Sequence, residues 1–293
     1  MPKENILNEY ETSYRLGHSF LREVVKYIER CHLEDGGYFF ARVPPSSGLD
    51  TYFAVKSLSI LGVKPDRPEA IANFFLNDVK DSSLGGMTGI FLTVEVLNEL
   101  GRITDELRDY AELRTMALQN KAGGFGALEN IDVEVASELQ ETYRAVKILK
   151  TIGADFDARR ITGFINGESN LDGGYGKEGR STLASTYYAT AIYMLLGTNP
   201  PVRTDTLKYF RDTEERWRAS FDGGRVNFIE DLYWLTLIPA NLGEKTNVPD
   251  RVTRFVMMCQ RTNGGFSRAT IMGIPTLEYT FFALSILKEI GAL

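Results

Sequence analysis

Residues 119–125 read Gln-Asn-Lys-Ala-Gly-Gly-Phe, and residues 260–266 read Gln-Arg-Thr-Asn-Gly-Gly-Phe. The Gly-Gly pair inside both stretches recurs along the whole chain, at Gly36-Gly37, Gly85-Gly86, Gly123-Gly124, Gly173-Gly174, Gly223-Gly224 and Gly264-Gly265. Successive pairs start 38 to 50 residues apart. Each is followed by an apolar segment that ends on another glycine: Gly62, Gly101, Gly153, Gly197, Gly243 and Gly291. Self-similarity of this kind decides an architecture before any single motif is read. The chain is six copies of one element.

Aligned on the closing glycine, the apolar segments run Leu49–Gly62, Met87–Gly101, Leu139–Gly153, Leu183–Gly197, Ile229–Gly243 and Leu277–Gly291. Ten residues before that glycine stand Tyr52, Phe91, Tyr143, Tyr187, Tyr233 and Phe281, all aromatic. Apolar residues fall at spacings of three and four, the helical period, and the closing glycine suits a left-handed C-cap. Pro239 interrupts the fifth segment and predicts a bend there. The segments before the pairs are helical but more charged: Ser13–His32, Arg67–Lys80, Thr104–Lys121, Ala158–Asn166, Thr204–Ser220 and Asp250–Gln260. Several start after proline, where a missing N–H costs least, and carry acidic residues in the first turn.

Each unit is therefore a charged helix, a Gly-Gly loop and an apolar helix, and six units predict twelve helices. The terminal units show no polar capping face, which an open solenoid needs. The expected fold is all-α, an (α/α)6 barrel with the apolar helices inside, spanning residues 1–293 as a single domain.

Composition narrows the function classes. The net charge of -6 disfavours a nucleic-acid surface. The apolar stretches are too short and too often broken to predict a membrane span. Met1-Pro2-Lys3-Glu4 does not open a basic-then-apolar signal, and two distant cysteines, Cys31 and Cys259, fit a reducing compartment. A cytoplasmic location is the expectation. Cys31-His32 lacks a second ligand pair and reads as a core cysteine beside a loop histidine. No nucleophile-base set assembles, because both histidines, His18 and His32, lie in the first unit.

The Gln-x-x-x-Gly-Gly-Phe stretches, together with helix starts of the type Thr-Tyr-x-Ala-x-x-x-Leu, resemble the repeat of protein prenyltransferase β subunits and squalene/terpene cyclases. The resemblance spans all six units. It implies a toroid around an apolar cavity that accepts isoprenoid chains, and it says less about activity. In the prenyltransferases the fifth unit carries Gly-Arg-x-Asn-Lys-x-x-Asp-x-Cys-Tyr. Here residues 224–234 read Gly-Arg-Val-Asn-Phe-Ile-Glu-Asp-Leu-Tyr-Trp, so Arg225, Asn227 and Asp231 match while Tyr233 replaces the zinc-binding cysteine. In the last unit Tyr279 stands where the family has its zinc-binding histidine. One carboxylate out of three ligands does not make a zinc site, so no zinc is expected, and Mg only as the counter-ion of a diphosphate. The family's diphosphate histidine and arginine fall near Thr182 and Gln140. Lys177, Arg180 and Arg225, with Arg144, remain as candidate diphosphate ligands; the alternative is that they are solvated loop charges.

The cyclases' Asp-x-Asp-Asp acid is absent. The run Glu129 to Glu138 alternates charge with apolar residues and reads as a solvated face. Glu230 and Asp231 are the candidate catalytic pair. Asp50, Glu141, Asp231 and Glu278 begin inner helices, where burial would raise a carboxyl pKa and make an acid of it; complementing the helix dipole is the competing role. Tyr52, Phe91, Tyr143, Tyr187, Tyr233, Tyr279 and Phe281 are the candidate cavity lining, against ordinary core packing. The sequence thus predicts a zinc-independent, prenyltransferase- or cyclase-like toroid that binds an isoprenoid, with a prenyl diphosphate as first choice. A non-catalytic lipid carrier or a scaffold that docks a protein partner is the alternative.

Overall fold

The computed structural model describes residues 17–80, 86–128 and 138–293. The start of the first expected helix, Gly85 and most of the acidic run 129–138 lie outside the described residues. Charged and apolar helices alternate: α1 (His18–Glu29) and α2 (Gly48–Ile60), α3 (Pro68–Lys80) and α4 (Gly86–Glu99), α5 (Asp105–Met116) and α6 (Leu139–Ile152), α7 (Ala158–Gly167) and α8 (Leu183–Leu196), α9 (Arg203–Asp222) and α10 (Ile229–Asn241), α11 (Pro249–Cys259) and α12 (Leu277–Glu289). Among the described residues the only β pairing is a set of isolated bridges.

The even-numbered helices pack in order, α2 on α4, α4 on α6, and so on to α10 on α12; α12 then packs on α2 and closes the circle. The odd-numbered helices lie outside. Each presents one apolar stripe inward, as in Val252, Phe255, Val256 and Cys259 of α11. The six closing glycines all have φ between 66° and 76°, the left-handed cap that the sequence predicts. Pro239 sits inside α10, which ends at Asn241. Cys31 and Cys259 are buried and unpaired, and burial pushes the Cys259 thiol up to about 12.

The Gly-Gly loops hold the two layers together. In four units the residue after the pair donates its N–H to the threonine that precedes the repeat aromatic of the inner helix. These bonds are Tyr38 to Thr51 Oγ1 (2.9 Å), Phe125 to Thr142 (3.0 Å), Tyr175 to Thr186 (3.0 Å) and Phe266 to Thr280 (3.2 Å). The donors belong to buried residues, so without the threonine they would be unpaired. Units two and five depart from this pattern, because Ile90 and Leu232 stand where the threonine would be. There Gly86 opens α4 directly, and α9 extends to Asp222 so that Gly223 becomes a helix cap.

Candidate functional site

The six repeat aromatics form a closed ring across the barrel axis. Centroid separations are 5.5 Å for Tyr52–Phe91, 6.5 Å for Phe91–Tyr143, 6.1 Å for Tyr143–Tyr187, 5.6 Å for Tyr187–Tyr233, 6.0 Å for Tyr233–Phe281 and 6.2 Å for Phe281–Tyr52. All fall in the range of tilted aromatic pairs. The Tyr187 and Tyr233 hydroxyls approach to 3.4 Å. Burial raises the pKa of Tyr52, Tyr143, Tyr187 and Tyr233, so these phenols stay protonated at neutral pH.

Above the ring, toward the N-terminal ends of the inner helices, lies a cavity of about 460 Å³. Its lining follows the repeat. All six ring aromatics contribute, and so does the residue after each: Phe53, Leu92, Arg144, Tyr188, Trp234 and Phe282. Leu49, Gln140, Ala184 and Glu278, three residues before the ring position, complete it. Positions i−3, i and i+1 share a helix face, because side chains three and four apart are stacked neighbours. Of the i+1 residues the sequence singles out Arg144 alone, as a candidate diphosphate ligand. The doublets Tyr52-Phe53, Tyr187-Tyr188, Tyr233-Trp234 and Phe281-Phe282 were the signal that would have found them. Below the ring, Tyr143 and Tyr187 also border a second cavity of about 320 Å³ at the opposite end, with Lys147, Met194, Leu237 and Asn241.

This geometry sorts the remaining candidates. Asp231 and Tyr279 stand two residues before their ring aromatics, roughly 200° around the helix, and neither lines the cavity. Asp50 and Glu141 share that position. Burial raises the Asp231 carboxyl above its usual range, with Glu230 adding and Arg268 opposing. Glu230 is at an i−3 position but is bonded to Arg268 at 2.5 Å, and the Arg268 guanidinium lies 4.2 Å over the Phe228 ring. Glu278 is the carboxylate that lines the cavity; burial raises its pKa, with Glu230 and Asp50 adding and Arg268 opposing. Burial likewise raises Asp50, whose Oδ2 accepts the Phe40 N–H at 3.2 Å.

The four candidate diphosphate ligands are dispersed. Arg144 lines the cavity but donates at 2.8 Å to both Glu141 and Thr88. Lys177 and Arg180 border an adjoining cleft of about 360 Å³ that shares Gln140, Ala184 and Tyr188 with the cavity. That cleft also holds Glu138 and Glu168, and Lys177 pairs with Glu138 at 3.6 Å. Arg225 is exposed on the loop after α9 and lines neither space.

The positions where the resemblance implies zinc ligands carry one carboxylate, Asp231, and two phenols. Tyr233 is a protonated phenol built into the aromatic ring, and Tyr279 supplies a second phenol in place of an imidazole. Among the described residues no group of three His, Cys, Asp or Glu side chains is placed to hold a metal. No helix among them is long and apolar enough to cross a membrane.

A family model described as the prenyltransferase alpha-alpha toroid domain matches residues 5–88, 77–213 and 202–292. The chain belongs to this family. Solved structures agree on the fold of the toroid. Protein geranylgeranyltransferase-I from Candida albicans, complexed with GGPP, superposes with a TM-score of 0.71 at 16% identity, covering 92% of this chain and 90% of that one. A type II terpene cyclase from Scytonema, in complex with geranylgeranyl dihydroxybenzoate, gives 0.65 at 9% identity over 94% and 97%. A protein from Actinoplanes gives 0.61 at 11% identity over 93% and 99%. No curated protein sequence matches the chain.

Proposed function

We propose that this toroid binds an isoprenoid chain in its upper cavity without the help of zinc. The observation that carries the reading is the closed ring of six aromatics beneath a 460 Å³ space walled by further aromatic and apolar side chains. Such a volume lies within the range of small-molecule sites, and aromatic faces suit the alkenes of a polyprenyl chain. Two solved relatives of the same fold carry geranylgeranyl groups, which supports the choice of ligand class. Zinc independence rests on Tyr233 and Tyr279, since phenols are poor substitutes for a thiolate and an imidazole.

The placement of the charged side chains favours binding over catalysis. Neither member of the Glu230-Asp231 pair reaches the cavity lining. The cations expected to hold a diphosphate are spread over three places, and Arg144 and Lys177 already have acidic partners. A carrier of an isoprenoid therefore fits the side-chain arrangement better than a transferase. Titration with geranylgeraniol, read by quenching of Trp234 fluorescence, tests the proposal. Saturable binding that is lost in a Tyr188→Ala, Phe282→Ala double variant is the expected result. Absence of binding to the folded protein would overturn it.

A further inference from the structure

Glu278 faces the cavity from the i−3 layer, and the cation that acts on it, Arg268, is bonded instead to Glu230. Arg144 is the cation among the lining residues, and Glu141 already neutralises it at 2.8 Å. Glu141 is 6% exposed, and its second carboxylate oxygen has no hydrogen-bond partner. Glu230 and Asp50 act on Glu278 with the same sign and Arg268 opposes them, while in the adjoining cleft Lys177 and Arg180 face Glu138 and Glu168. Beneath these groups the six ring aromatics line the cavity, and an aromatic face attracts positive charge. A low-dielectric pocket strengthens both effects, and it repels a multiply charged anion for the same reason.

From this arrangement we infer that the cavity selects an apolar chain carrying a cationic head, an amine or ammonium, with Glu278 as its counter-ion. The inference rests on the isoprenoid reading and sharpens it by naming the head group. It reverses the charge expected from Arg225, Arg180, Lys177 and Arg144. The chain lies against the aromatic faces, and the ammonium sits at the i−3 layer within reach of Glu278.

The test uses three probes with one tail: geranylgeranylamine, geranylgeraniol and geranylgeranyl diphosphate. Each is titrated calorimetrically against the wild-type protein and the near-isosteric Glu278→Gln variant. The amine is expected to bind at least about tenfold more tightly than the alcohol, and the diphosphate more weakly than the alcohol. In Glu278→Gln the ratio of amine to alcohol affinity is expected to fall toward one, with the variant's melting temperature confirming that it folds. Equal affinities for amine and alcohol in the wild type, or tightest binding of the diphosphate, would overturn the inference and leave the isoprenoid reading standing. Binding of none of the three would overturn both.

Discussion

Gly264, in the loop of the sixth repeat, packs so closely on Glu23 of α1 that a Cβ at Gly264 would lie 2.2 Å from the Glu23 carbonyl oxygen, which joins the sixth unit to the first. The same approach recurs between consecutive units, at Gly36 on Ala70, Gly123 on Arg160 and Gly173 on Asp205. A repeat contact that elsewhere joins one unit to the next here joins the sixth to the first. The seam that closes the barrel is thus built like three of the seams between consecutive units.

Gly264→Ala is expected to be strongly destabilising. Gly264 has φ +94°, and a Cβ there would collide with the Glu23 carbonyl. Backbone atoms cannot move aside cheaply, so a loss of roughly 2–4 kcal/mol is expected from strain and lost packing. Gly163→Ala is the control: this residue is exposed inside α7, and a Cβ there meets nothing within 4 Å. That change should stabilise by about 0.5–1 kcal/mol. Thermal melts of both variants check the pair.

Thr280→Val removes the hydroxyl that accepts the Phe266 N–H at 3.2 Å while nearly preserving shape. Phe266 is fully buried, so its N–H is left without a partner. A cost of about 1–3 kcal/mol is expected by chemical denaturation. Thr280→Ser keeps the acceptor and should recover most of that loss. Equal destabilisation by both would show that the methyl, not the hydrogen bond, matters.

Tyr143→Ala removes a ring that borders both axial cavities. Truncating a fully buried aromatic costs about 3–5 kcal/mol, and Tyr143 is partly buried, so a smaller but clear fall in melting temperature is expected. The two spaces should also join, and a longer polyprenyl alcohol should then gain affinity relative to geranylgeraniol. Tyr143→Phe, which keeps the ring, should change neither measurement much.

Burial raises the carboxyl pKa of Asp50, Asp231 and Glu278. The folded state thus holds protons more tightly than the unfolded chain between the ordinary carboxylate value and the raised one. Stability contributed by these groups is greatest at the acidic end of that window and is lost as pH rises through their folded pKa values. Glu278→Gln removes one of the three. Its melting temperature relative to wild type should increase as pH rises through the window and level off above it. A difference that does not change with pH would contradict the assignment.

Arg225→Ala distinguishes two readings of the diphosphate. If Arg225 binds it, affinity for geranylgeranyl diphosphate should fall roughly ten- to a hundredfold. Its exposed place outside the cavity and the cleft leads us to expect a change within about twofold. Titration of the two proteins with this ligand settles the matter.

The repeat itself was legible from residue types alone, because glycine caps, Gly-Gly turns and helical apolar spacing are local properties of the chain. They yield twelve helices, the inner and outer layers and the ring position of Tyr52, Phe91, Tyr143, Tyr187, Tyr233 and Phe281. The sequence also sets tyrosines, Tyr233 and Tyr279, where the resemblance implies a cysteine and a histidine. What it does not contain is the direction in which each helix turns its other faces. The sequence puts Asp231 and Tyr279 forward as site residues and Glu278 only as a helix-start carboxylate, yet a shift of one residue along a helix rotates a side chain by about 100° and moves it from the axis to the wall. Ion pairing is equally non-local: Arg144 is committed to Glu141 on its own helix, but Glu230 is held by Arg268 from the next unit's loop. Closure of the ring decides both matters. It fixes which face of every inner helix looks down the axis, and only then does the charge of the cavity mouth follow.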